Sequence, residues 1–151
     1  MKPTFRARNA ASAFSDIVAR FCPATSPIPA GTPVGELLWQ RFVRGPEYSI
    51  DTFGHPDHGP FVAVPRHREL VRAGQMVKGA TIGDADLQAF AASAIRAFDV
   101  RDVSCLQVIR EEKSGELFFV ELNPRYGTGI SLSIAAGVPF PLLQWLAHFD
   151  P

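Results

Sequence analysis

A chain of 151 residues, 46% of them hydrophobic, is large and apolar enough for one compact domain. Its 15 basic residues are balanced by 15 acidic ones, and with no long basic run this leaves non-specific nucleic-acid binding without electrostatic support. Cys22 and Cys105 are too few for a disulfide framework. No apolar core follows the N-terminal charges, and Ser131, Ser133, Gly137 and Pro139 break the most apolar run, so the expectation is a cytoplasmic chain with no membrane partner.

In chain order, Lys2 to Arg6 reads as the tail of a short strand. Phe14, Ile17, Val18 and Phe21 form a helical stripe that Asn9 or Ser12 can cap. Pro23, Pro27, Pro29 and Pro33 make residues 22–35 a connector. Leu37 to Val43 and Glu47 to Phe53 read as strands punctuated by Gly45-Pro46. Alternation in the second puts Tyr48, Ile50 and Thr52 on one face and Glu47, Ser49 and Asp51 on the other, polar face. Residues 54–60 form a turn, and Phe61 to Arg66 resumes the sheet.

Asp84 caps a helix with apolar positions Leu87, Phe90, Ala94, Ile95 and Phe98. Val103 to Arg110 and Glu116 to Leu122 form a hairpin around Lys113-Ser114-Gly115. Residues 129–136 and 140–149 close the chain as helices. The class is α+β with a mainly antiparallel sheet.

The last hairpin carries the chemistry. Glu121 and Asn123, two apart on a strand, share a face. A turn centred on Ser114 places Gln107 opposite Glu121, so three oxygen-bearing side chains converge. Such hard donors suit Mg²⁺ completed by phosphate and water, and not zinc. Two readings stay open on the residues alone: a divalent-cation site, or a solvated strand end with Arg125 as neighbour.

Several spaced elements then resemble the ATP-grasp superfamily, in its branch of carbamoyl-phosphate synthetase and related carboxylate–amine ligases. They are Gln107-Val108-Ile109, the run Glu121-Leu122-Asn123-Pro124-Arg125, the tail from Tyr126 to Ser133, and the upstream segment from Gln40 to Asp51. The resemblance implies a truncated ATP-grasp fold. Residues 1–43 would be the remnant of the ATP-closing lobe and hinge, and residues 44–151 the metal- and nucleotide-binding lobe.

The resemblance also implies roles. Gln107, Glu121 and Asn123 would hold magnesium (or manganese) at the β- and γ-phosphates of ATP, and Arg125 would face the transferred phosphoryl group. Gln40 would approach ribose or adenine, Phe42 and Val43 would form the adenine hinge, and Glu47 would contact ribose. Lys2 would reach the phosphates, Arg66 would face substrate or phosphate, and Lys78 would share that role. The activity implied is joining a carboxylate to an amine (or thiol) through an acyl-phosphate, with ATP converted to ADP and phosphate.

Two departures stand beside the resemblance. Such a ligase has a long portion before the lysine that Lys2 matches, and the loop after that lysine is usually glycine-rich, whereas residues 4–12 contain no glycine. An alternative is therefore a non-catalytic remnant or partner subunit needing a separate N-terminal-lobe chain. An edge strand left open predicts self-association into a homo-oligomer.

Other residues have plainer readings. His55, Asp57 and His58 form a polar hairpin tip, Arg66, His67 and Arg68 a basic strand end, and Cys105 a small core residue. Trp39 and Trp145 read as packing residues.

Overall fold

The computed structural model describes residues 41–54 and 61–149. The chain divides into two compact units, Met1–Phe42 and Val43–Pro151, and nearly all the described residues belong to the second. Lys2, Gln40, the helical stripe ending at Phe21, the proline-rich connector, Trp39, His55 and His58 lie outside the described residues.

The second unit contains strands β1 (Glu47–Gly54), β2 (Phe61–Arg72) and β3 (Gln75–Thr81), helix α1 (Ala85–Ala97), strands β4 (Val103–Arg110) and β5 (Leu117–Asn123), and helices α2 (Ile130–Ala135) and α3 (Phe140–Phe149). The strands form one five-stranded sheet in the order β3-β2-β1-β4-β5, antiparallel throughout. The chain is α+β, as its pattern of alternations implies.

Strand β1 sits at the centre and sorts the side chains. Its register with β2 and β4 aligns Ile50 with Pro65 and Leu106. On that face Ile50, Leu106 and Val108 form a closed core with Leu87 and Ala91 of α1. Enclosing the Leu87 side chain contributes about 1.5–3 kcal/mol. Asp84 starts this helix as expected: its carboxylate accepts the Leu87 backbone N–H at 3.0 Å. The helical face closest to the sheet is Leu87, Ala91 and Ile95, whereas Phe98 is exposed at the C-cap and meets Phe119 with ring centroids 5.4 Å apart.

On the opposite face, Phe53, Val103 and Phe140 form a second core, flanked by Tyr126 and Ile130. Beyond it the same face turns polar.

Three expectations change. Residues 41–43 carry no strand. Strand β2 runs on to Arg72 and returns as β3 through Ala73 and Gly74, both at positive φ (48° and 76°). The sequence carries no signal for this hairpin, because β3 is an edge strand with largely exposed side chains and therefore lacks an apolar alternation. Trp145 is exposed and packs on Phe149 rather than in a core.

Candidate functional site

The polar face of the sheet is built from same-parity residues on four strands. Register places Ser49 beside Arg66 and Gln107, and Asp51 beside Cys105. Across the last strand pair Gln107 stands opposite Glu121, and Cys105 opposite Asn123. The expected convergence of Gln107, Glu121 and Asn123 on one face is therefore what the backbone provides. A β-bulge lies immediately beyond the pair, since Val108 aligns with Phe119 and leaves Val120 over.

Hydrogen bonds order this row. Asn123 Nδ2 donates to Glu121 Oε1 at 2.8 Å, and Arg125 Nη2 reaches Asn123 Oδ1 at 3.4 Å. Arg125 and Glu121 are both exposed. At the other end Arg68 Nη1 donates to Gln107 Oε1 and to Glu47 Oε2, each at 2.8 Å. A solvated basic strand end, the expectation for Arg68, is not its environment. Arg68 is instead 9% exposed and crosses from β2 to both β1 and β4. Its parity with Arg66, Glu47 and Gln107 was the available signal: antiparallel pairing puts such residues on one face.

Arg66 is enclosed as well. It is 1% exposed, and Nη2 pairs with Asp51 Oδ1 at 2.6 Å, while Ser133 Oγ donates to Asp51 Oδ2 at 2.6 Å. Asp51 belongs to this buried network rather than to a solvated polar face. Gly127 and Gly129 lie directly over it. A Cβ at Gly127 would come within 2.7 Å of Cys105 Sγ and 2.9 Å of Asp51 Oδ1, and one at Gly129 would overlap Arg66 Nη1. Glycine is required where the loop seals the arginine. The side chain expected to face substrate or phosphate thus braces the 127–129 loop from beneath.

Cys105 is buried beside this network. Burial first, then the charge of Asp51, pushes its thiol up to about 11, so it stays protonated and inert at neutral pH. Lys78 is exposed and pairs with Glu69 at 2.7 Å. Phe42 is exposed and Val43 half-buried on irregular backbone.

The computed structure carries no ligands. The residues present fit magnesium by donor chemistry: Gln107, Glu121 and Asn123 supply one carboxylate and two amide oxygens on one face, all hard donors. Among the described residues, no group of three or more His, Cys, Asp or Glu side chains gathers as a metal site, so a cation held here would rely on the amides as well as on Glu121.

The family described as "ATP-grasp in the biosynthetic pathway with Ter operon" matches residues 34–150. The chain belongs to this ATP-grasp family.

No protein of curated function matches the sequence. Among solved structures, the ATP-grasp chain is similar to a Campylobacter jejuni biotin carboxylase in complex with beta-gamma-ATP (TM-score 0.62, 16% identity), covering 90% of this chain and 30% of that one. It is also similar to Rhizobium etli pyruvate carboxylase (TM-score 0.56, 18% identity), covering 66% of this chain and 10% of that one. At these identities the likeness is one of fold. The chain spans less than a third of either protein's length. Together the family and the fold make it an ATP-grasp domain. No helix among the described residues is long and apolar enough to cross a membrane.

Proposed function

We propose that this ATP-grasp chain binds ATP with magnesium (or manganese) and forms part of a ligase joining a carboxylate to an amine or thiol. The observation that carries the reading is the cross-strand pairing of Gln107 with Glu121, on the same sheet face as Asn123, whose amide contacts the Glu121 carboxylate. The similar Campylobacter jejuni protein, described in complex with beta-gamma-ATP, supports nucleotide binding by a chain of this fold.

In this reading residues 1–43 contribute the remnant of the closing lobe and the hinge, with Lys2 toward the phosphates, Gln40 toward ribose or adenine, and the Phe42–Val43 backbone against adenine. Residues 44–151 contribute the metal- and phosphate-binding face, with Glu47 toward ribose. Magnesium, when bound, neutralises the β- and γ-phosphate oxygens. Arg125, exposed beside Asn123, offers a guanidinium fork whose geometry matches phosphate.

The chemistry follows from position and charge. A carboxylate oxygen attacks the γ-phosphorus, the bond to the β-bridging oxygen breaks, and ADP leaves. The amine then attacks the acyl carbon and phosphate departs. Arg66, held by Asp51, keeps the 127–129 loop in place beneath these events rather than touching them. Because the chain spans 30% of the similar biotin carboxylase, a second reading is a binding subunit that turns over only when another chain supplies the remaining lobe.

The test is calorimetric titration of a non-hydrolysable ATP analogue with and without Mg²⁺, on wild type, Glu121→Ala and Asn123→Ala. Magnesium is expected to tighten wild-type binding by about tenfold or more, equal to about 1.4 kcal/mol, and to do little for Glu121→Ala. Equal magnesium dependence in all three proteins would sink the proposal. Turnover by the isolated chain would remove the subunit reading.

A further inference from the structure

We propose that Arg68 is a positioning residue that fixes which end of the Gln107 amide is presented to a divalent cation. The inference rests on the metal-binding reading above and adds a residue to it.

A glutamine amide has two unlike ends. Its oxygen binds cations, and its NH₂ group repels them. A ligand of this kind must be held in one of two orientations related by a half-turn, whereas a carboxylate has two equivalent oxygens and needs no such choice. Arg68 makes the choice here. A guanidinium has five N–H donors and no acceptor, so only the oxygen end of Gln107 can face it, and Nη1 contacts Gln107 Oε1 at 2.8 Å. The oxygen keeps a second lone pair for a cation.

The guanidinium is itself immobilised. Nη1 also binds Glu47 Oε2 at 2.8 Å, and Nη2 binds the Gly74 carbonyl at 2.7 Å. These acceptors belong to β1 and to the β2–β3 turn, whose Ala73 and Gly74 adopt positive φ. The side chain is nine-tenths buried, and its Nε is enclosed without a partner. The Glu47 carboxylate beside it offsets a positive charge that would otherwise repel an incoming cation. Arg125 and Glu121 together orient the Asn123 amide at the far end of the row.

The experiment measures Mn²⁺ affinity by electron paramagnetic resonance on the full chain with a non-hydrolysable ATP analogue, with melting curves for every variant. Arg68→Met is expected to weaken Mn²⁺ by about tenfold or more, the size typical of losing a group that orients a metal ligand. In the Gln107→Glu background the same substitution is expected to cost no more than about threefold, because the two changes act on one contact and are not additive. Should Arg68→Met fail to fold, Arg68→Lys replaces it. The lysine change is expected to give a smaller loss beside Gln107 and none in the Gln107→Glu background.

Equal losses in both backgrounds would show a merely structural arginine and overturn the inference. So would unchanged affinity in the singly substituted Arg68 variant. Glu121→Ala separates the two levels. If it abolishes Mn²⁺ binding while Arg68 variants do not alter it, only the role of Arg68 falls. If it leaves binding intact, the metal face and this inference fall together.

Discussion

Gln107 and Glu121 face each other across β4 and β5, and the strand pair slips by one residue immediately after them, with Val120 left unpaired. Strict alternation from Leu117 would have put Glu121 on the same face as Phe119, against α1. The bulge lets Leu117, Phe119 and Leu122 all pack toward the core while Glu121 and Asn123 turn the other way. One extra residue thus reconciles an apolar run with a polar site.

Deleting Val120 therefore removes the residue without a partner and keeps Gln107 opposite Glu121. The expected cost is about 1 kcal/mol or less, with magnesium-dependent nucleotide binding retained. Inserting alanine after Leu122 instead sends Asn123 to the core face, and that dependence should be lost. Calorimetry and melting curves on both variants check this.

Gly129→Ala should destabilise by about 1–3 kcal/mol, because the added methyl overlaps Arg66 and the Asp51 pair prevents its retreat. Gly83 has nothing within 4 Å of an added Cβ, so Gly83→Ala is expected to be neutral or stabilising by up to about 1 kcal/mol. Urea unfolding of the two variants should give effects of opposite or clearly unequal size.

Asp51→Ala leaves the Arg66 guanidinium buried without its counter-charge, a loss of about 3–5 kcal/mol. Replacing both partners, as Asp51→Leu with Arg66→Met, should recover most of that loss. If the double variant folds yet loses nucleotide binding entirely, Arg66 does more than brace the loop.

Asp84 links the start of α1 to β4 by capping Leu87 N–H and pairing with Arg110 at 2.6 Å. Burial acts to raise its pKa, but the Leu87 N–H and the Arg110 charge outweigh it and hold the carboxyl below its ordinary value. A lowered folded value means the ionised form is favoured by folding. Its contribution is full above the unfolded pKa and disappears as pH falls through that value toward the lowered one. Asp84→Ala should cost about 1 kcal/mol at neutral pH, and the gap to wild type should close in acid. A gap that widens on acidification would contradict the assignment.

Much of this was legible in the chain. A turn centred on Ser114 predicts Gln107 opposite Glu121. Next to the turn, however, the strands pair one residue off that centre, Arg110 with Leu117 and Val108 with Phe119, and only the bulge at Val120 brings Glu121 opposite Gln107. The Asp84 cap was legible from residue type and the two faces of β1 from period-two alternation, because each depends on local geometry. The β3 strand was not legible, since an exposed edge strand imposes no apolar pattern. Arg66 and Arg68 looked like a solvated basic strand end because burial of a charge depends on partners elsewhere in the sequence. Asp51 lies 15 residues before Arg66, and Gln107 lies 39 residues after Arg68.

The sequence alone determined the α+β class, the membership in an ATP-grasp-like pattern and the oxygen donors of the last hairpin. Spacing and residue type set those within one strand pair. Only the tertiary structure decided that two arginines are enclosed, one under a glycine loop and one between Glu47 and Gln107. Sealing a guanidinium is favourable only when acceptors from separate strands meet it at hydrogen-bond distance, and that meeting exists once the sheet has assembled.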